Sequence, residues 1–289
     1  MTARPLTGEA PHAASPEPVP DVDTGKIAQF LFELRPREIT VVSRTAVTER
    51  LTRVRFTGDD LHDLSTVAPE DHVKLFFDTT PDGAVKLPEM VGGRWAAAGF
   101  TYRDYTVRHF DPDGPWLDIE FVLHGHGVAG TWAATAAAGD RLGMLGPRGA
   151  FLVHDISDWY VFAVDETALP AMQRWLEMLR PDVPVIAFVE VQDSADEFEL
   201  KTDARLEVHW LHRHDRAPGQ TDLLERAVRS LDLPVGEGFV WVAGEALSIK
   251  PLRRYLRDDL ALDRDSWDVD GYWRRGSVNH DHHQGDDDD

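Results

Sequence analysis

The chain has 289 residues, 42% of them hydrophobic and 28% charged, a globular composition with room for two modest domains. Lys and Arg number 30 against 51 Asp and Glu, a formal charge of −21 that argues against nucleic acid or an anionic membrane as partner. There is no cysteine, which excludes a disulfide framework, a thiolate nucleophile and a cysteine-bound iron–sulfur cluster. Any redox chemistry must therefore use a borrowed organic cofactor or a bound metal.

No apolar run reaches the roughly 20 residues of a membrane span. Residues 1–25 are rich in Pro and Ala and lack a basic-then-apolar leader pattern, so a disordered arm in a cytoplasmic, monomeric protein is expected. Across 26–156 the pattern is strand-like. Short β-branched or alternating runs at 39–43, 51–56, 72–77, 102–110, 117–123 and 141–145 are divided by turns such as Thr-Pro-Asp-Gly at 80–83. Strands at this spacing predict an antiparallel barrel, with a single helix over 131–138.

After residue 157 the rhythm changes. Apolar strands are predicted at 159–164, 183–191, 206–211 and 238–243, with helices at 168–179, 221–231 and 246–259. Buried strands alternating with helices give a mainly parallel sheet in a three-layer domain over 157–276. Residues 277–289 read as an acidic disordered tail. Its His280, His282 and His283 offer a metal-binding alternative, but a solvated tail is the simpler reading.

The chemistry concentrates in a few segments. Arg103, Tyr105 and Thr106 lie on one predicted strand and suit a flavin dinucleotide: a guanidinium for phosphate, a flat face, and a small hydroxyl. An ordinary barrel strand with exposed arginines is the alternative. Residues 125–130 spell G-x-G-x-x-G, but the helix that follows is too short for a βαβ crossover, so this is not a Rossmann turn. Its glycines and the N–H groups near Ala129 to Trp132 can still face an anion. Gly-Pro-Arg-Gly at 146–149 is a turn whose Arg148 can add positive charge at the site mouth.

Asp165, Glu166, Thr167, Ala168 and Pro170 sit where the first strand of the second domain meets its helix, where open parallel sheets bind ligands. Helix capping by Thr167 is the stronger reading there, since two acids are awkward beside phosphate. Ala243 and Gly244 leave room for a flat ring, and Glu245 either contacts a carboxamide or caps a helix. Gly-Tyr-Trp-Arg-Arg-Gly at 271–276 is a cap over a planar cofactor or an aromatic plug. Of the histidines, only His124 stands beside the presumptive flavin turn.

The order of these motifs, with His-Val-Lys-Leu-Phe-Phe at 72–77 and Trp-Leu-His-Arg at 210–213, resembles the siderophore-interacting proteins, which are ferric-siderophore reductases of the ferredoxin–NADP reductase-like group. The resemblance implies a β + α/β two-domain fold: an antiparallel Greek-key β-barrel binding FAD, then a three-layer α/β domain for NADPH or NADH. It implies FAD held by Arg103, Tyr105, Thr106, His124 and the turn through Ala129, Gly130, Thr131 and Trp132. Val107, Gly127, Asp165, Thr167, Ala168, Ala243, Gly244, Glu245, Tyr272 and Trp273 complete the expected cofactor-binding set. Lys74, Arg148 and Arg274 are where it implies a basic group for an anionic ferric siderophore. Val128 departs from the family's Gly-Pro-Ala turn. Ferredoxin as donor, flavin or quinone as acceptor, and a non-catalytic siderophore binder are the rival readings. Arg213 and Arg216 are the only candidates for a 2′-phosphate, too weak to choose between the two nicotinamides.

Overall fold

Alternating apolar residues along the first half build a curled antiparallel sheet. The computed structural model describes residues 18–278. Its first half runs β1 (Val22–Asp23), β2 (Ile27–Leu31), β3 (Pro36–Ala46), β4 (Leu51–Thr57), β5 (His72–Phe76), β6 (Met90–Val91), β7 (Arg94–Trp95), β8 (Tyr102–Thr106), β9 (His109–Asp111), β10 (Trp116–Val122), α1 (Val128–Thr135), β11 (Arg141–Leu145) and β12 (Gly149–Val153). Seven of these strands form one sheet in the order β8-β5-β11-β3-β4-β10-β9. Its inward residues, among them Ile39, Val54, Phe56, Leu75, Ile119, Phe121 and Met144, make the barrel core. A smaller sheet, β1-β2-β12, packs beside it.

The single strand expected over 102–110 breaks at Val107 and Arg108. Val107 N–H turns to the Asp71 carbonyl at 2.8 Å and Arg108 N–H to the Asp118 carbonyl at 2.9 Å. The break lets one stretch of chain supply both edges of the seven-stranded sheet, β8 on one side and β9 on the other, which closes the barrel. Two further expectations are corrected. The stretch taken as arm to residue 25 contains β1, paired antiparallel with β2; residues 1–17 lie outside the described residues, as does the tail beyond 278. The short helix starts three residues early, at Val128, because Gly127 adopts φ 77° and ψ 158° and ends the preceding turn there.

The second half runs β13 (Trp159–Asp165), α2 (Leu169–Met178), β14 (Pro184–Val191), β15 (Arg205–His212), α3 (Leu223–Ser230), β16 (Gly238–Glu245), α4 (Ala246–Arg254) and β17 (Trp267–Trp273). The strands are all parallel, in the order β15-β14-β13-β16-β17. β13 is buried along its whole length, as a central strand covered on both faces must be. α2 packs on one face through Leu169, Met172, Trp175 and Leu176; α3 and α4 pack on the other through Leu224, Val228, Ile249 and Leu252. The predicted helix over 246–259 ends at Arg254 and continues as a π turn, Tyr255–Asp259, four residues past Pro251, which has no N–H to give the helix. The strand order reverses between β13 and β16, so the crevice for a ligand lies beyond their carboxyl ends.

α2 fixes the two halves together. The Arg108 guanidinium forks onto Glu177 at 2.9 and 2.6 Å and lies 3.8 Å from the fully buried Glu120. Arg174 donates to the Val107 carbonyl and to Thr66 Oγ1, each at 2.8 Å, and Gln173 Nε2 donates to Glu120 at 2.8 Å. A second tie joins Arg50 to Asp196 at 2.8 Å and to Asp193 at 3.2 Å.

Candidate active site

Two hollows open along the seam between the halves. The smaller, ≈ 50 Å³, is lined by Glu70, His72, Asp104, Tyr105, Thr106, Asp270 and Tyr272. It lies where β8 of the barrel meets the edge strand β17. Thr106 and Tyr272 both line it from opposite sides of the seam, while the Tyr105 ring sits 4.4 Å from Phe121. Phe121 in turn touches Trp132, which stacks near Phe56 at 6.0 Å and meets Phe77 at 5.9 Å. Tyr105 and Trp132 are thus locked by barrel aromatics. Burial pushes the Tyr105 and Tyr272 phenols well above their usual range, so both are neutral hydrogen-bonding groups. Arg103 Nη1 donates to its neighbour's carbonyl, Tyr102 O, at 2.6 Å.

α1 starts beside this strand. Its first intrahelical bond runs from Thr131 N–H to Gly127 O at 3.2 Å. The amides of Val128, Ala129 and Gly130 therefore point out of the helix end, with no side-chain cap and no acid in the first turn. Ala129 and Gly130 are buried, and no acceptor for these donors stands among the described residues, which suits an anionic ligand group. The His124 ring packs over the glycines: a side-chain carbon added at Gly127 or Gly130 would meet it at 3.3 or 3.4 Å. Burial, then the neighbouring His126, lowers the His124 pKa and keeps the imidazole neutral. A guanidinium, a row of unsatisfied amides and buried hydroxyls form a donor set that fits a flavin dinucleotide. Val107 is different: its side chain belongs to the barrel core and only its backbone faces the seam.

The larger hollow, ≈ 290 Å³, lies between the barrel and the carboxyl ends of β13 and β14. Arg50, His124, His126, Glu166, Gln192 and Arg213 are among its lining residues. The residues expected to contact a nucleotide, Arg213 apart, lie at the strand ends nearby, outside the lining of this hollow, and largely satisfy one another. Asp165 accepts from Thr167 N at 2.9 Å and from Trp273 Nε1 at 2.8 Å. Thr167 is therefore tied to Asp165, and the α2 cap position belongs to Ala168. Glu245 caps α4 by accepting from Ser248 N and Oγ, and accepts Arg275 N at 3.0 Å. Ala243 is part of the sheet core. Gly244 is required by close approach, since a side-chain carbon there would lie 2.8 Å from Asp165 Oδ2. Buried Arg213 forks onto Glu166, so it is committed before any 2′-phosphate arrives. Burial and then Asp165 push Glu166 up to about 7, against the pull of Arg213.

The three cations expected at the substrate mouth divide. Lys74 Nζ is held by both oxygens of Asp104, at 2.8 and 3.0 Å. Arg148 and Arg274 have no carboxylate partner among the described residues. Sequence reasoning missed Glu70, Asp104 and Asp270 as wall residues. Only strand register, pairing Lys74 with Asp104 and setting β17 at the sheet edge, brings them together.

Known proteins share this arrangement. Residues 40–151 match the siderophore-interacting FAD-binding domain and residues 157–276 the siderophore-interacting protein family. A siderophore utilization protein from T. fusca is 45% identical, covers 89% of this chain and 100% of its own, and superposes with a TM-score of 0.84. Ferric vibriobactin reductase ViuB of Vibrio cholerae is 32% identical over 86% of this chain and 93% of its own length. The NADPH-dependent ferric-chelate reductase of Escherichia coli is 30% identical over 77% and 87%. More distant solved chains, a ferredoxin reductase among them, share the barrel-plus-α/β fold, which is ferredoxin–NADP reductase-like. With matches to both halves in order and a relative aligned across nearly its whole length, the chain belongs to the siderophore-interacting protein family.

Proposed function

We propose that this protein is a ferric-siderophore reductase, drawing electrons from NADH or NADPH and delivering them to chelated Fe(III), which leaves as Fe(II). The observation that carries the reading is the seam itself. A strand bearing Arg103, Tyr105 and Thr106 meets the edge strand of a parallel sheet a few residues from its switch point. FAD, when bound, supplies the exchange between a two-electron donor and a one-electron acceptor. Arg103 and the α1 amides would hold its pyrophosphate, and Thr106, His124 and the Tyr272–Trp273 pair would border it. One nicotinamide oxidised by two electrons balances two Fe(III) reduced to Fe(II). Hard oxygen ligands that grip the trivalent ion hold the divalent ion more weakly, so reduction releases the metal.

No acid, base or nucleophile is needed for that electron transfer, and the side chains position groups and exclude water. The test is anaerobic. Purified yellow protein should bleach with NADH or NADPH and recover colour on adding a ferric siderophore, with Fe(II) trapped in stoichiometric amount. Protein that takes up no FAD, or whose bleached form ignores every ferric chelate, overturns the reading. A second reading has a specific support: with Arg213 and Glu245 already engaged, a protein donor such as ferredoxin could replace the nicotinamide. Bleaching by photoreduction but by neither nucleotide would favour it.

A further inference from the structure

The Lys74–Asp104 pair changes what the substrate mouth can receive. Lys74 on β5 and Asp104 on β8 are direct cross-strand partners. The ammonium lies between the two carboxylate oxygens and 5.1 Å from the Tyr102 ring centroid. Both side chains keep over a quarter of their surface exposed, 29% and 26%, so the pair faces the open side of the strand. Asp104 shares its hollow with Glu70 on the barrel side and Asp270 on the α/β side. Asp268, two residues earlier on β17, lies close enough to raise the Asp270 carboxyl further. The Gly146–Pro147–Arg148 turn runs beside β5, since a side chain on Gly146 would meet the His72 carbonyl at 3.5 Å. Arg148 belongs to that turn, and Arg274 directly follows the edge strand in the chain. Burial pushes the Glu70 and Asp270 carboxyls up, so they add little negative charge there, and the Lys74 ammonium is already neutralised by Asp104.

Resting on the ferric-siderophore reading above, we infer that Asp104 is a specificity residue which tunes this mouth for ferric chelates of little or no net charge, of the trishydroxamate class, over the triply anionic triscatecholate class. The physical reason is direct. A trianion gains most from an uncompensated cation at short range, and the whole chain, at −21, offers it nothing beyond a Debye length of about 8 Å. A neutral chelate loses little when Lys74 is paired and meets no repulsion from the carboxylates.

The experiment uses the flavin-loaded protein and gallium(III) chelates, which copy ferric complexes in shape and charge but accept no electron. Binding is read by titration calorimetry at low ionic strength. Asp104→Asn should tighten binding of a gallium triscatecholate about tenfold, while the neutral gallium trishydroxamate shifts less than about twofold. Adding Lys74→Gln to that variant should return the trianion to its wild-type affinity, which places the gain on the uncovered ammonium. Flavin content and melting temperature should stay at wild-type values in both. A trianion-to-neutral ratio that Asp104→Asn leaves unmoved, or a gain that survives Lys74→Gln, overturns the assignment to Asp104 alone. Wild-type protein that binds neither gallium chelate and reduces neither ferric one removes the ferric-siderophore reading and this inference with it.

Discussion

At the start of α1 the barrel half leaves three amide N–H groups without an acceptor among the described residues, two of them on buried residues. At the carboxyl edge of the parallel sheet the α/β half does the reverse. Asp165 is bound by Thr167 and Trp273, Glu245 by Ser248 and Arg275, and Arg213 by Glu166. Buried donors without acceptors cost stability until a ligand fills them, so the first half is built around a resident group. Polar groups that largely satisfy one another cost less when empty, which suits a guest that comes and goes. The difference separates the holding of a prosthetic group from the reception of a passing donor.

The strongest way to break this contrast is to uncouple the halves. Arg108 forks onto Glu177 of α2 beside buried Glu120, which keeps Arg53 and Gln173, so Arg108→Ala removes the fork and the packing of a buried guanidinium. Losing a charged, hydrogen-bonded fork together with buried side-chain volume costs about 3 kcal/mol. Thermal melting should drop by roughly 10 °C for a chain of this size. An unchanged melt would show that the halves do not depend on one another. The next change addresses the barrel side alone. Gly127 holds φ 77° and ψ 158°, a conformation essentially closed to β-branched residues. Gly127→Val should cost about 1–3 kcal/mol of local strain and loosen flavin binding by tenfold or more, read as colour lost on dialysis. Nucleotide binding to the α/β half should survive. Equal loss from both halves would dissolve the contrast.

The smallest effect lies on the seam. Burial, and then Asp268, push Asp270 up to about 7 from its usual 3.8. The folded state thus holds this proton more tightly than the unfolded chain does. Its stabilising contribution is complete below about pH 4 and is lost as pH rises through about 7. Asp270→Asn removes that loss, so it should raise the melting temperature by a few degrees at pH 8 and by less at pH 5. A gain independent of pH would mean that the carboxyl is not desolvated in the way the hollow requires.

Much of the fold was legible because burial writes a period into the chain. The fully apolar run of β13 and the alternation along β4 state which faces are covered. β17 was not, because Trp267, Val269 and Gly271 alternate with Asp268, Asp270 and Tyr272 in a segment dense with aromatics, which reads equally well as a cap. The site was half legible. Arg103, Thr106 and the glycine turn stand close together in sequence and carry recognisable chemistry. Glu70, Asp104 and Asp270 become neighbours only through register and strand order, which no local pattern encodes. The neutralisation of Lys74 belongs to the same class: its partner is 30 residues away.

The break at Val107 and Arg108 has a mechanical side. The strand that carries Arg103 to Thr106 is also the clasp of the cylinder, fastening one rim through β8 and the other through β9. Losing hold of that segment would spring two raw hydrogen-bonding rims at once, each able to recruit a foreign strand. A ligand that settles against this clasp therefore rests on the one stretch that keeps both rims covered.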